Sequence, residues 1–477
     1  MRSYAPPSGS IPTLPVPSLD GISSVHMIGV GGAGMRNLAR LLLSRGIEVR
    51  GSDMKDSKGV RELVAAGADV WVGHDPERLG TPDAVIISSA IGDANPELRA
   101  ARERALPVWA RQQALAALVA GHRAVAVAGT HGKTTTTSMI AVVLERCGLD
   151  PSYLIGGDLN ESGSGARSGG GDVFVFEADE SDGSFLLARP HVGVVTNVDV
   201  DHVDFYPGGR REIEAAFGAF VARCEHVVGC GDDPGVRSVL DDAAGAGTLR
   251  YGVGDGNELV VSVDELGPDG AVGRIRGGEG VEAALRLQVD GTHNLLNAAA
   301  AIGVAGLLGV SLADAAAAVG EYAGVHRRFE RRGRARGADF FDDYGHTPTE
   351  MAVTIETARR RRPSRLIALV QPHRYSRVQA LWRELGESVA GADLVLVTDV
   401  YGAAQDPIPG VTGRLVVDGV ALASPSTPVV YLPHRADVVD YLDREVREGD
   451  LVVTMGCGDV WMLADAAVER LGGGGDG

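Results

Sequence analysis

The chain has 477 residues, of which 44% are hydrophobic and 66 are glycine, a composition typical of a multidomain α/β protein and not of a fibrous or disordered chain. Its formal net charge of −18 disfavours nonspecific binding to nucleic acid or acidic membranes, and no window approaches the roughly 18 apolar residues of a membrane span. The four cysteines form no CxxC pair, which argues against a zinc or disulfide framework and favours the reducing cytoplasm.

The chain opens on a stretch rich in proline and serine without an apolar run, so we expect a flexible extension at 1–20 and no secretory signal. From residue 24 onward, strand-like apolar runs alternate with helical patterns, as in βαβ units with parallel sheets. We predict three α/β domains and a disordered tail, at 21–121, 122–325, 326–471 and 472–477. Inside the second domain, 241–290 reads as an antiparallel flank.

A cluster of glycines lies between the first predicted strand and the first helix. Its members are Gly29, Gly31, Gly32 and Gly34. Glycines allow a tight turn, and the N-terminus of the helix offers N–H groups to a phosphate. Asp53, at the end of the next strand, lies where an acidic residue can meet a ribose hydroxyl. The pattern alone is weak and predicts either a nucleotide-diphosphate site or a tight helix–strand turn.

The stretch VAVAGTHGKTTTTSM, 125–139, carries a stronger pattern. The predicted ATP-binding residues are Gly129, Thr130, His131, Gly132, Lys133, Thr134 and Thr135. In such a loop, backbone N–H groups surround a phosphate, the lysine bridges the outer phosphates and a hydroxyl binds Mg²⁺. Val127 occupies the first glycine position of the full pattern. Only three lysines stand against 42 arginines, which indicates that position 133 requires an ammonium group. The stretch predicts a nucleoside triphosphate site.

Polar side chains follow two further strands of this domain. They are Glu177, Asp179, Glu180 and Asp182 after one strand, and Thr196, Asn197, Asp199, Asp201 and His202 after the other. Because the carboxyl ends of parallel strands meet at one edge, we expect these groups near the phosphate loop. Oxygen ligands suit Mg²⁺, and a histidine hints at a second metal position. We expect Glu177 to be half-buried.

Asn294 and Asn297 lie one turn apart on a predicted helix that begins GTHNLLNAAAA. An amide offers one donor and one acceptor, which matches the edge of adenine. Taken alone, the two residues fit a helix cap better than an adenine site.

Three stretches together, GTHGKTT, EADESD…TNVDVDH and GTHNLLNA, resemble the Mur ligases, the ATP-dependent amide-forming enzymes of peptidoglycan precursor synthesis. The resemblance covers essentially the whole chain. It implies a Rossmann-like UDP-binding domain, a central P-loop ATPase-type parallel sheet and a C-terminal Rossmann-like α/β domain that binds an amino acid. GVGGAGM, EADESDGSF, DDYGHTPTE and QPHRYSR look most like the branch that adds L-alanine to UDP-N-acetylmuramate.

The resemblance implies an acyl phosphate on the lactyl carboxylate, which alanine attacks with release of ADP and phosphate. It also implies that the cofactors are ATP, as co-substrate, and one or two Mg²⁺ ions. The expected partners are these small molecules, without nucleic acid or membrane insertion. We expect a cytoplasmic monomer or weak homodimer.

The resemblance also assigns roles to individual residues. Ser88 and Ser89 would line the UDP-sugar cleft with the Gly29–Gly34 loop and Asp53. Thr134, Glu177 and His202 would bind the metal, and Asn294 and Asn297 would lie near adenine. Lys133, His202 and Arg328 would be catalytic, and Arg328 and Asp343 would reach the phosphates and ribose. Tyr344, His373, Arg374 and Arg377 would surround the amino acid. For the base that takes the ammonium proton, His346, His373 and Asp343 remain open.

The chain departs from the family pattern at three positions. Thr347 replaces a second histidine, and Ala403-Ala404-Gln405 stands where an AGE sequence is usual. Phe217 stands where several sibling ligases have a carbamylated lysine, which favours the alanine-adding branch.

Four alternatives remain at this point. They are a nicotinamide oxidoreductase, a small-molecule kinase, a nucleotide-binding regulator without enzymatic activity, and a relative that joins a recycled peptide to the same UDP-sugar. The oxidoreductase leaves the lysine loop unexplained, and a kinase would release no free phosphate.

Overall fold

In the computed structural model, residues 15–88, 90–160, 162–181, 184–201, 205–242, 247–403 and 405–472 are described. The chain forms two compact units. One runs to Glu265 and takes in Ala271–Gln288 and Thr292–Ala323, and the other takes Leu266–Gly270, Val289–Gly291 and the chain from Gly324 onward. This break falls two residues before the predicted boundary at 325. Among the described helices, none has the length and apolar character needed to cross a bilayer.

The N-terminal domain contains a five-stranded parallel sheet of order β3-β2-β1-β4-β5. Its strands are β1 (Ser24–Ile28), β2 (Glu48–Asp53), β3 (Asp69–Val72), β4 (Ala84–Ile87) and β5 (Val108–Ala110). Its helices are α1 (Ala33–Ser44), α2 (Lys58–Ala65), α3 (Pro96–Glu103) and α4 (Arg111–Val119). The strand order reverses between β1 and β4, which is where ligands bind in open sheets of this kind.

The middle domain contains a ten-stranded sheet of order β15-β14-β13-β12-β11-β10-β6-β9-β7-β8. Its strands are β6 (Arg123–Ala128), β7 (Ser152–Leu154), β8 (Ala166–Arg167), β9 (Val173–Glu177), β10 (Val192–Val195), β11 (His226–Cys230), β12 (Gly247–Gly252), β13 (Leu259–Gly267), β14 (Gly270–Arg276) and β15 (Glu282–Leu287). Its helices are α5 (Lys133–Arg146), α6 (Arg210–Val221), α7 (Pro234–Asp241), α8 (Thr292–Leu307) and α9 (Leu312–Val319).

The phosphate-loop strand β6 lies at the centre of this sheet, between the parallel strands β9 and β10. Its alanines and valines are buried from Ala124 to Ala128, as expected for a strand covered on both faces. The predicted antiparallel flank is confirmed for β14 with β15. However, β12 pairs in parallel with β11 and with the start of β13. The parallel region therefore reaches further into 241–290 than predicted, because α7 supplies a crossover from β11 to β12.

The C-terminal domain contains a six-stranded sheet of order β16-β17-β21-β18-β19-β20, in which β16 and β17 are antiparallel and the other pairs are parallel. Its strands are β16 (Glu330–Ala335), β17 (Ala338–Asp343), β18 (Arg365–Val370), β19 (Leu394–Val397), β20 (Val429–Tyr431) and β21 (Asp450–Met455). Its helices are α10 (Pro348–Arg360), α11 (Tyr375–Val389), α12 (Arg414–Ala423), α13 (Arg435–Glu445) and α14 (Trp461–Gly472). The last helix therefore includes Gly472, the first residue of the predicted tail, a difference of the size by which helix ends fray.

Candidate active site

The loop between β6 and α5 has the form that its sequence predicts. Gly129 and Gly132 have φ angles of 140° and 79°, and residues with a side chain rarely adopt such angles. A Cβ atom at Gly129 would collide with the hydroxyl of Thr196. Helix α5 begins at Lys133 directly after Gly132, so its first N–H groups face the loop. Such a helix N-terminus favours an anion.

Lys133 lies inside the loop, where it forms an ion pair with Glu180. Its Nζ atom is 2.8 Å and 3.0 Å from the two carboxylate oxygens of Glu180, and it donates to the carbonyl of Gly129 at 2.6 Å. Burial by itself would lower the pKa of Lys133, but attraction by Glu180, and more weakly by Asp179 and Glu177, outweighs it and raises the pKa. The lysine is therefore held as an ammonium ion.

Side chains after β10 hold the loop from the other side. The amide oxygen of Asn197 accepts the N–H of His131 at 2.8 Å, and the hydroxyl of Thr196 donates to the carbonyl of His131 at 2.6 Å. The N–H of Asp199 donates to the Thr130 hydroxyl at 2.9 Å. The prediction that polar strand ends meet at the phosphate loop is confirmed for these residues. His202 and Asp182 lie outside the described residues.

Glu177 ends β9 and is half-buried, as predicted. One of its oxygens accepts the N–H of Gly156 at 2.7 Å. Together with Asp179 it lines a cleft that Arg111, at the start of α4, also lines. Thr134, in the first turn of α5, is buried. Oxygen donors of this kind therefore surround the phosphate loop.

Asn297 and Asn294 lie on α8. Asn297 is buried, and its amide oxygen accepts the hydroxyl of Thr136 at 3.1 Å. Its Nδ2 group lies 3.4 Å from the Asn294 oxygen. A Cβ atom at Gly132 would lie 3.1 Å from the same Asn297 oxygen. In this structure Asn297 therefore joins α8 to the helix that carries Lys133.

The glycine loop of the N-terminal domain is braced by Asp53. This carboxylate accepts the N–H groups of Gly31 at 2.9 Å and Lys55 at 3.1 Å, so both its oxygens hold the turn. Ser88 follows β4 and lies beside Gly29, whose φ is 78°. Ser89 lies outside the described residues. Gly32 forms the N-cap of α1, and Gly34 lies in its first turn.

Sequence reasoning did not identify Arg111, which lies at this loop. A Cβ atom at Gly34 would come 2.7 Å from an Nη atom of Arg111. Arg111 follows β5, next to β4 in the sheet, so only the strand order reveals that it neighbours a loop 77 positions earlier. Its guanidinium adds positive charge beside the N-terminus of α1.

In the C-terminal domain, Tyr344, His346, His373 and Arg377 lie together. The ring centroids of His346 lie 5.8 Å from Tyr344 and 5.4 Å from His373. Arg377 is buried and its Nη1 lies 3.0 Å from Nδ1 of His373. Arg374 forms the N-cap of α11 with a φ of 62°. Three of the four predicted amino-acid-binding residues thus form one cluster, and the fourth adjoins it along the chain.

Arg328 and Asp343 lie beside this cluster within the same domain. The Arg328 guanidinium lies 5.1 Å from the centroid of the Tyr344 ring, within range of a cation–π interaction. Asp343 accepts hydrogen bonds from the N–H groups of Phe329 and Gly345, each at 2.8 Å, and from the Thr354 hydroxyl at 3.0 Å. Both carboxylate oxygens of Asp343 therefore brace loops.

Two of the residues that depart from the family pattern, Thr347 and Gln405, have a structural role. Thr347 forms the N-cap of α10, and its hydroxyl and the carboxylate of Glu350 make a capping box. The amide oxygen of Gln405 accepts the N–H of Ser376 at 3.2 Å, and its Nε2 donates to the Ser376 hydroxyl at 2.9 Å. Both residues thus stabilise helix starts beside the cluster.

Comparison with known proteins gives a consistent result over the chain. Family models described as the Mur ligase family catalytic domain, the Mur ligase middle domain and the Mur ligase glutamate ligase domain match residues 24–123, 127–305 and 327–458. The UDP-N-acetylmuramate–L-alanine ligase of Paenarthrobacter aurescens is 44% identical, over 97% of this chain and 100% of its own length.

Solved structures of similar proteins agree with these sequence matches. That of the UDP-N-acetylmuramate–alanine ligase of Thermotoga maritima aligns with a TM-score of 0.79 at 27% identity, over 94% of this chain and 98% of that one. A murein peptide ligase of Psychrobacter arcticus shares the fold, with a TM-score of 0.73 at 24% identity, over 95% and 99% of the two chains. Because the family models cover most of the sequence and a relative at 44% identity spans nearly all of it, this chain belongs to the Mur ligase family.

Proposed function

We propose that this protein uses ATP to join L-alanine to the lactyl carboxylate of UDP-N-acetylmuramate. The products are UDP-N-acetylmuramoyl-L-alanine, ADP and phosphate, in the synthesis of peptidoglycan precursors. One observation carries the proposal, namely the 44% identity over 97% of the chain to an enzyme of that name. The geometry of the phosphate loop supports the use of a nucleoside triphosphate.

The chemical difficulty is that a carboxylate has to attack a γ-phosphate, although both are anions. Lys133 supplies a fixed ammonium at the mouth of the loop, and the first N–H groups of α5 supply partial positive charge. Positioned charges of this kind provide most of the catalysis in phosphoryl transfer. Glu180 holds Lys133 until phosphate oxygens take its place.

The donor set around the loop fits Mg²⁺, because hydroxyl and carboxylate oxygens are its preferred protein ligands. Thr134 and Glu177 would hold a first ion, and His202 would serve a second. A bound Mg²⁺ would neutralise phosphate charge and polarise the transferred group. Asp179 adds a further carboxylate on the wall of the same cleft.

The UDP-sugar would bind at the glycine loop of the N-terminal domain. The N–H groups at the start of α1, the hydroxyl of Ser88 and the guanidinium of Arg111 offer donors to its diphosphate. Arginine suits this role because its planar group binds phosphate through two N–H donors. Asp53 would shape the loop.

The amino acid would bind in the C-terminal cluster of Tyr344, His373, Arg374 and Arg377. Arg377 is buried beside His373, and we assign its guanidinium to the carboxylate of alanine. His346 and His373 are better candidates than Asp343 for the base that accepts the ammonium proton, since both oxygens of Asp343 already accept hydrogen bonds. The four free cysteines suit the cytoplasm.

The test is phosphate release with ATP, Mg²⁺ and UDP-N-acetylmuramate, screened against L-alanine, glycine, L-serine and the recycled tripeptide. We expect the highest kcat/KM with L-alanine, and a preference for the tripeptide would replace this proposal by the recycling reaction. With ¹⁸O in the lactyl carboxylate, one labelled oxygen should appear in the phosphate released. Alanine-dependent turnover without that label would contradict an acyl phosphate.

A further inference from the structure

A group of side chains of metal-binding types lies in the C-terminal domain. One ligand atom each from His346, His373 and Cys457 lies within 4.8 Å of the others, and all three residues are half-buried. They follow β17, β18 and β21, which are neighbours in the sheet in the order β17-β21-β18. The carboxyl ends of three adjacent parallel strands therefore bring two imidazoles and a thiol together. Residues this far apart in sequence form no CxxC pattern.

His346 has the orientation of a metal ligand. Its Nδ1 atom lies 3.1 Å from the carbonyl oxygen of Tyr344. A carbonyl only accepts hydrogen bonds, so this contact requires the proton on Nδ1 and leaves the lone pair on Nε2. Metal-binding histidines usually donate their other ring N–H to a carbonyl or carboxylate in this way.

Cys457 lies on a loop that is held in place by Arg327. This guanidinium donates to the carbonyl oxygens of Gly456 at 2.6 Å and Gly458 at 3.0 Å, on either side of the cysteine. It also forms an ion pair with the buried Asp342 at 3.0 Å. The backbone on both sides of Cys457 is therefore held in place. Burial raises the pKa of the Cys457 thiol to about 12, so the thiol has to lose its proton when it binds a metal.

We propose that His346, His373 and Cys457 bind Zn²⁺, with a fourth position open to water. Zinc prefers nitrogen and sulfur ligands, and three protein ligands with one open position form a common tetrahedral arrangement. With bonds of about 2.0–2.3 Å, the ligand atoms of such a site lie about 3.3–3.6 Å apart. Separations in the cluster are within 4.8 Å, so zinc binding requires the ligand atoms to approach one another by at most about 1.5 Å.

Zinc and Arg377 compete for His373. Arginine only donates, so Nδ1 of His373 accepts the Arg377 N–H at 3.0 Å and Nε2 carries the ring proton. If zinc binds Nδ1, it takes the lone pair that Arg377 uses. If zinc binds Nε2, the proton moves to Nδ1, which then faces a donor. In both cases Arg377 has to move away.

Zinc therefore excludes alanine, and this step rests on the function proposed above, which assigns Arg377 and His373 to the amino acid. We expect zinc to raise the KM for L-alanine and to leave the KM for ATP unchanged. The metal site itself does not depend on the reaction catalysed.

The test measures zinc binding to the full-length protein by competition with a chromogenic chelator, without any substrate. We expect a site whose Kd rises at least about 100-fold in Cys457→Ala, more than loss of an outer partner costs. Cys147→Ala, which changes another half-buried free cysteine, is the control and should bind zinc unchanged. Cobalt in place of zinc should give a thiolate charge-transfer band that Cys457→Ala loses and Cys147→Ala keeps.

His346→Gln is the second variant. The unfolding temperature of both variants is measured, and each should be like that of the wild type. Equal zinc affinity in the wild type and in Cys457→Ala, or no band with cobalt, overturns the metal site. Zinc binding that depends on Cys457 but leaves the KM for alanine unchanged would retain the metal site. That result would contradict exclusion of alanine and the placement of the amino acid at Arg377.

Discussion

In the function proposed above, the ion pair of Lys133 with Glu180 has to open when a triphosphate binds, and Glu180→Gln tests this exchange. The side chains are 16% and 4% exposed, and the closest N–O distance is 2.8 Å. At this distance the attraction is about 6 kcal/mol for an effective dielectric constant of about 20. Removing one partner of a buried pair typically costs about 3–5 kcal/mol. Lys133 keeps its hydrogen bond to the Gly129 carbonyl in the variant. We therefore expect Glu180→Gln to lower the free energy of unfolding by about 3 kcal/mol, the lower end of that range.

The nucleotide should reverse much of this loss. In the wild type, phosphate oxygens have to replace Glu180 at Lys133, so part of the binding free energy is spent on opening the ion pair. In Glu180→Gln the ammonium has no such anion to release. We therefore expect Mg²⁺ and ADP to raise the unfolding temperature more in the variant than in the wild type. The assay is thermal unfolding at several concentrations of nucleotide, since stabilisation grows with the ratio of ligand concentration to Kd.

Glu214→Gln provides the matched control. It makes the same change in the same domain, at a surface ion pair with Arg210 of 3.4 Å, and such pairs contribute about 0–1 kcal/mol. This variant should respond to nucleotide as the wild type does. If Glu180→Gln and the wild type gain equally from nucleotide, Lys133 does not exchange Glu180 for phosphate, and the reasoning is refuted.

Four further outcomes are expected. Lys133→Ala should abolish phosphate release while UDP-sugar binding, measured by calorimetry, stays nearly intact; a comparable loss of that affinity would count against two separate sites. Gly129→Ala should unfold at lower urea concentration and lose nucleotide binding, because its φ is 140° and its Cβ would meet Thr196; normal ADP affinity would contradict this. Arg111→Gln should raise the KM for the UDP-sugar about tenfold, the loss of a charge-assisted hydrogen bond, without change in the KM for ATP; equal rises would refute this. Burial opposes ionisation of Glu330, but hydrogen bonds from its histidine and backbone partners lower its pKa to about 2 from 4.5. Its stabilisation is therefore complete above pH 4.5 and is lost as the pH falls towards 2, so Glu330→Gln should cost about 2 kcal/mol at pH 7 and little at pH 2 in urea unfolding. An equal cost at both values would contradict the shift.

The sequence predicted those parts of the site that follow from local pattern. A strand, a glycine turn and a helix specify the phosphate loop of Lys133 by themselves, and the carboxyl ends of parallel strands place Glu177 and Thr196 near it. The pattern did not identify which carboxylate pairs with the lysine. The turn after β9 decides this, since Asp179 and Glu180 are adjacent and Glu180 directs its carboxylate to Nζ.

Contacts that depend on strand order were beyond sequence reasoning. Arg111 reaches Gly34 because β5 lies beside β4, which itself lies beside β1. Cys457 meets His346 and His373 because β21, the last strand of the chain, inserts between β17 and β18. Each of these pairs spans 77 residues or more, and periodicity within a segment carries no information about neighbours in the sheet.

A polar residue at the end of a strand can bind a ligand or brace a loop. The hydrogen bonds that its side chain makes indicate which of these two roles it has. Both oxygens of Asp53 and both oxygens of Asp343 accept hydrogen bonds from the protein. Among the described residues, Glu177 instead accepts one hydrogen bond, on Oε1 from Gly156, and its carboxylate lines a cleft. A carboxylate with both oxygens occupied would have to give up a loop contact to bind a ribose or a metal, whereas Glu177 can bind a metal through Oε2 and keep its loop. A carboxylate at the end of a strand thus braces a loop through both oxygens in two domains, and in the third it keeps one oxygen for the metal proposed above.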